Sequence, residues 1–328
     1  MKKIFTFLVF LFSVFTSFSQ QDPQFSQNMF NHMFINPGYA GANDAICASL
    51  LARQQWVGFK GAAQGSTDPV NVYPKTYLFN FDAPVRVLHG GIGLSIMQDQ
   101  LGFEKTLGLK IAYAYRHVIG NGTLGVGLQG YFVNKSIDFS KFIYIDANDP
   151  LITGTGVKSG MATTAAFGLW YSIPSKMYVG FSANQLMKSK IPYPTPLGSP
   201  TLATHFYLEG GYFYQLGNPL LELDPSFLIK SDMASTQFDI NCLLKYDNKV
   251  WGGLSYRYTD AIAVLLGYQK VMPYGTARIG YSYDITTSAL GAKKRSSGSH
   301  EIFISYCFKV VKTFTPASYS NDRFLWSR

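Results

Sequence analysis

Charge is scarce in this 328-residue chain: Asp, Glu, Lys and Arg together make up 14%. Cysteine is scarcer still. Three residues, Cys47, Cys242 and Cys307, leave at least one without an intramolecular partner, which excludes a disulfide-framed scaffold. The histidines, His32, His89, His117, His205 and His300, have no metal-type spacing. No Ser-His-Asp set or paired carboxylates stand out, so neither an enzyme nor a cofactor is expected. Long apolar runs are missing beyond residue 19, where nothing approaches the roughly 18 uninterrupted apolar residues of a membrane helix. The one apolar run, Ile4 to Phe15, follows Lys2 and Lys3 and precedes the small residues Ser17 and Ser19. That is the pattern of a secretion signal over residues 1–19, with cleavage before Gln20. No cysteine follows it closely, which argues against lipoprotein processing.

What is present is aromatic and alternating. Aromatic residues reach 16%, with 26 Phe, 22 Tyr and 31 Gly. Segments of about ten residues recur from Ala45 to Lys309 with a period of two, as in strands with one oily and one polar side. In Leu107 to Arg116, one face is Leu107, Leu109, Ile111, Tyr113 and Tyr115, and the other carries Lys110 and Arg116. In Gln237 to Tyr246, Phe238, Ile240, Cys242 and Leu244 oppose Asp239, Asn241 and Lys245. In the last segment, Ile302, Ile304, Tyr306 and Phe308 face one way, while Glu301, Ser305 and Cys307 face the other; Phe303 is the exception.

About fourteen strands are predicted, within the range of outer-membrane barrels. The connectors after even-numbered strands are short and carry turn formers, as in Ile173-Pro174 and Asp247-Asn248. Long connectors, 57–74, 134–159, 187–200 and 285–299, all follow odd-numbered strands. Such barrels have short periplasmic turns and long external loops. The expected fold is therefore an all-β, transmembrane antiparallel barrel over residues 45–309, in the outer membrane, with both termini periplasmic. A soluble β-sandwich would also alternate, but it accounts less well for the one-sided loops, the aromatic excess and the signal.

Lumen-facing charges are expected at Arg53, Asp82, Lys110, Arg116, Asp239, Lys245, Arg257, Arg278 and Asp284. They would form either an ion-paired filling or a wet, anion-favouring pore. The net charge of +9 is dispersed, which favours anionic lipid or acidic partners over nucleic acid. Alternation puts Cys242 on the lipid side and Cys47 and Cys307 opposite. The odd count favours free thiols, although first and last strands are neighbours in a closed barrel, so a Cys47–Cys307 bridge is conceivable. Asp146 to Pro150 lacks a full calcium loop and reads as an ordinary turn. Gly154 to Gly160 lacks the strand and helix that flank a phosphate loop.

Both ends carry a specific likeness. Gln21 to Asn31 followed by Phe34 to Gly41, then Arg53 to Phe59, Trp251 to Arg257, Ile279 to Asp284 and Ser299 to Phe308, resemble ordered motifs of the PorP/SprF family. These are outer-membrane proteins of type IX secretion and gliding motility. The likeness spans Gln21 to Phe308. Gly38 and His32 depart from the family pattern, and the tail beyond Val310 extends past the closing strand. The resemblance implies an outer-membrane barrel that assists secretion or surface anchoring of a partner such as a large adhesin. The implied partners are an exported protein with a type IX C-terminal sorting domain and the periplasmic secretion or motility machinery.

The segment 20–44 reads as a short amphipathic helix, with Phe25, Met29, Phe30, Met33 and Phe34 at helical spacing and Asn36-Pro37-Gly38 ending it. It is either a packing element at the rim or a plug or docking surface. Partner-contact candidates are Phe25, Phe30, Phe34, Tyr39, Arg53, Trp56 and Phe59. Phe324 and Trp326 join them in a periplasmic tail, 310–328. Trp56 also suits anchoring at the outer headgroup level. The alternative function is a passive pore or FadL-like transporter for small hydrophobic or anionic solutes.

Overall fold

The computed structural model describes residues 22–143, 156–192, 199–288 and 296–310. The expected signal sequence, the Asp146 to Pro150 turn and the tail with Phe324 and Trp326 lie outside them. Fourteen antiparallel strands close into a barrel. They are β1 (Ala45–Gln54), β2 (Lys75–Val85), β3 (Gly90–Leu101), β4 (Glu104–Ile119), β5 (Gly122–Asp138), β6 (Val157–Ile173) and β7 (Met177–Asn184). Then follow β8 (His205–Tyr212), β9 (Leu221–Ser231), β10 (Thr236–Tyr246), β11 (Val250–Arg257), β12 (Ala261–Met272), β13 (Gly275–Thr286) and β14 (Ser299–Lys309). Each strand pairs with its sequence neighbours, and β1 pairs with β14 to close the ring. Closure leaves no unpaired edge, which is what a sheet in hydrocarbon requires. No helix among the described residues is long and apolar enough to cross a membrane.

Alternation decides the two faces. Leu50, Leu128, Leu254 and Leu266 are among the most exposed residues on the outer wall. Arg53, Lys110, Asp239, Arg257 and Asp284 are buried inside. The strands β5 and β6 run longer than the alternation predicts, because their ladder continues through Asp138 opposite Val157 into the outer rim. The first long connector holds its own small hairpin, Lys60–Gly61 against Val70–Asn71. The first and last long connectors are joined: the Val57 amide donates to the Gly298 carbonyl (2.8 Å), and the Ser297 amide to the Val57 carbonyl (2.7 Å).

The cysteines correct the expectation of free thiols. Cys47 and Cys307 are direct cross-strand partners on β1 and β14, and they form a disulfide with a Cα separation of 4.0 Å. Register across the closing seam brings them together, which local spacing cannot reveal. Cys242 is free and exposed on the outer face, as expected.

Candidate functional site

The lumen is filled by the chain's own N-terminal segment. No continuous amphipathic helix forms. There are three single turns instead, at Asn28–Phe30, His32–Ile35 and Pro37–Tyr39. One-turn helices leave most of their backbone groups without internal partners, and the barrel wall supplies them. Lys110 donates to the Phe34 carbonyl (2.9 Å). Ser182 and Asn184 both donate to the Ile35 carbonyl (2.9 and 3.0 Å). The Asn36 side-chain Nδ2 donates to the Leu169 carbonyl (2.9 Å), and its Oδ1 accepts from the Gly38 backbone N–H (2.9 Å). Wall glycines make room for this approach. A Cβ on Gly127 would stand 2.3 Å from the Pro37 carbonyl carbon.

The segment threads the whole barrel. Asp22 sits at the long-loop end, where its carboxylate accepts from Gln185 (2.8 Å) and Tyr207 (3.2 Å) and its carbonyl accepts from Lys230 (2.7 Å). Burial alone would raise this carboxyl, but the fields of Lys110, His205 and Lys230 outweigh it and hold the pKa at about 2. The chain then descends past Gly41, packed on Gly91 and Pro84, to enter β1 at the short-turn end. The start of the barrel is thus at the expected end, while the first described residue lies at the opposite one. The reason is that the segment's polar partners are distributed along the whole length of the lumen.

Near the long-loop end the plug is held by a buried ionic latch. Arg53 donates to Asp284 (2.7 Å), to Glu301 (3.0 Å) and to the Ser26 hydroxyl (2.7 Å). Glu301 also accepts the backbone amides of Ser26 (2.9 Å) and Gln27 (2.8 Å). The Ser26 hydroxyl donates to Asp284 (2.7 Å). Beside this set, Arg257 reaches Asp239 (3.4 Å), Asp260 (3.3 Å) and the Phe25 carbonyl (3.1 Å). Arg53 faces Glu301, and Asp239 faces Arg257, across neighbouring strands, so register places each pair. Arg53, Asp284 and Glu301 are 2%, 1% and 0% exposed. Charges buried this deeply persist only when paired and hydrogen-bonded.

Apolar contacts complete the seat. Phe30 stacks on Phe303 (5.5 Å) and meets Trp251 (4.9 Å). Phe303, the exception to the alternation of β14, therefore points inward to receive the plug. Phe25 meets Phe34 edge-on at 5.5 Å, and the Lys110 ammonium lies 3.6 Å from the Phe34 ring centre.

Among the partner-contact candidates, Phe25, Phe30, Phe34 and Tyr39 pack against one another and their own barrel, and both terminal nitrogens of Arg53 are hydrogen-bonded. They form an internal seat, not an exposed docking face. Trp56 and Phe59 lie half-buried at the outer rim. Trp56 has a left-handed backbone (φ 54°), and its amide donates to the Ser299 hydroxyl (3.0 Å). The sequence reading missed Ser26, Gln27 and Asn36 as anchoring residues; the inward Phe303 was the available signal.

A closed transmembrane barrel with an internal latched plug defines an outer-membrane β-barrel protein. Its family follows from the sequence: residues 17–306 match the model of the type IX secretion system membrane protein PorP/SprF, and the chain belongs to that family. No curated protein sequence matches it. Similar solved structures are a Ralstonia pickettii toluene transporter, TbuX (10% identity, TM-score 0.48), and a Pseudomonas aeruginosa FadL homologue (12% identity, TM-score 0.48). Each alignment covers 85% of this chain and 93% of the other. The translocator domain of the Neisseria meningitidis autotransporter NalP has 12% identity and a TM-score of 0.42, covering 87% of this chain and 96% of that one.

Proposed function

We propose that this barrel assists the secretion or surface anchoring of an exported partner, such as a large adhesin with a type IX sorting domain. The barrel is a plugged dock in this reading, not the conduit. The observation that supports it most is the convergence of family-like motifs on the latch. Ser26 and Gln27, Arg53, Arg257, Asp284 and Glu301 come from five separate segments and join in one plug-holding cluster. Those motifs specify closure. Partner contacts then fall to the interlinked outer connectors around Trp56 and Phe59. Contacts with the periplasmic secretion or motility machinery fall to the short-turn end. The test is deletion of the gene followed by surface labelling of exported proteins. A cognate partner should be missing from the surface and restored by the wild-type gene; full display in the deletion strain refutes the reading.

A second reading, transport of small hydrophobic or anionic solutes, is favoured by the cavities on either side of the plug, about 210 Å³ and about 370 Å³. It predicts solute uptake by the purified barrel in liposomes, and impermeable vesicles would count against it.

A further inference from the structure

The larger cavity, about 370 Å³, lies between the plug and the short-turn end. Its size is that of a small-ligand site, and its lining sets an aromatic cluster beside many polar and charged side chains, Asp44, Asp224, Lys245 and Arg278 among them. Trp170 and Tyr178 stack at 4.9 Å and 15°, and Tyr39 of the plug meets Trp170 edge-on at 5.0 Å. Together they make an aromatic wall. The polar groups are unevenly matched. Lys245 is offset by Glu222 (3.0 Å) and Asp224. Arg278 feels the field of Asp224, which Lys245 already pairs, but has no carboxylate of its own in contact among the described residues. Its Nε donates to Gln269 (2.6 Å), and it makes no ion pair among the described residues, in contrast to Arg53 and Arg257. Trp170 and Trp251, which also line the cavity, bury indole N–H groups that have no partner.

We infer that this cavity binds a carboxylate carried on an apolar body, with Arg278 as its anchor. A guanidinium presents two parallel N–H donors that match a carboxylate. Its terminal nitrogens are available for that fork because Gln269 occupies only Nε. The aromatic wall would take the aliphatic or aromatic remainder. Asn43, Asp44 and Ser175 line the cavity and are exposed at the short-turn end, so a ligand would enter from the periplasm. Such a carboxylate occurs on a free organic acid or at the C-terminus of a peptide. The inference is independent of the docking role proposed above; it deepens the transport reading, which shares this cavity, but is tested by binding and not by uptake.

The test is titration of the detergent-purified full-length barrel, read by intrinsic tryptophan fluorescence and calorimetry. The probes are decanoate, 3-phenylpropionate and a short apolar peptide with a free C-terminus, each beside its methyl ester or amide. Saturable binding of an acid but not its neutral counterpart is expected. Arg278→Met should weaken that binding about tenfold or more, as expected for loss of a charge-assisted hydrogen bond, and Arg278→Lys should retain part of it. Binding of the free acids alone or of the peptide alone identifies the source of the carboxylate and supports the site either way. Equal binding of acid and neutral form by the wild-type barrel, or no saturable binding by any probe, overturns the inference without reference to any variant. Undiminished binding by an Arg278→Met barrel with normal heat-modifiable gel migration overturns it too.

Discussion

Replacing Arg53 by Met should open the plug without unfolding the barrel. The guanidinium pairs with Asp284 and Glu301 at 2.7 and 3.0 Å, Arg257 adds a second cation 3.7 Å from Asp284, and both carboxylates are essentially inaccessible to water. Removing one partner from a buried ionic group costs about 3–5 kcal/mol. Two responses could relieve that cost. The barrel could unfold, which would break a continuous ladder of fourteen strands. Alternatively the plug could leave its seat and admit water to the two carboxylates. The second response is far smaller, because the plug is held by side-chain contacts and has no place in the ladder. A cost of about 3–5 kcal/mol converts to roughly a hundred- to several-thousand-fold rise in the open fraction. The assay is conductance in planar bilayers, with labelling of a cysteine placed at Gln24 in a Cys242→Ser background. The wild type should be silent and slow to label; Arg53→Met should show discrete openings and fast labelling at an unchanged barrel melting temperature. A silent, unlabelled Arg53→Met barrel would refute the latch.

Three further outcomes are expected. Gly127→Ala puts a methyl group 2.3 Å from the Pro37 carbonyl carbon; it should unseat the middle of the plug and raise conductance while leaving the lipid-facing wall intact. Before reduction, thiol reagent should label Cys242 alone and, after reduction and denaturation, all three cysteines; Cys47→Ser should cost about 2–4 kcal/mol in denaturant unfolding. Asp22 is held at about 2 in the folded protein, below the usual aspartate value of about 3.9. Its contribution is therefore fully present above about pH 4 and is lost as pH falls toward 2; the plug's upper end should lose hydrogen-exchange protection over that window, and Asp22→Asn should weaken the pH dependence around residue 22.

Much of the architecture was legible because it is local. A period of two assigns each side chain to a face, and turn-forming residues end each strand. The wall positions of Lys110, Asp239 and Arg257 followed from alternation alone. Phe303 broke the pattern, and the structure shows why: an inward aromatic at that level has Phe30 of the plug to stack on. The candidate site was less legible. Helical spacing in Phe25 to Phe34 signalled an apolar face but not its form. The segment breaks into single turns because wall groups such as Ser182, Asn184 and Lys110 capture its carbonyls.

By itself, the sequence determined a two-faced strand array with long connectors on one side, and the ordered motifs of the PorP/SprF family. Only the tertiary structure decided that the N-terminal segment runs through the lumen, that Cys47 meets Cys307, and that Ser26, Arg53, Asp284 and Glu301 form one latch. Alternation and turns depend on residues a few positions apart. The disulfide and the latch join groups separated by more than two hundred residues, and their meeting is set by ring closure and strand register, which no local pattern encodes.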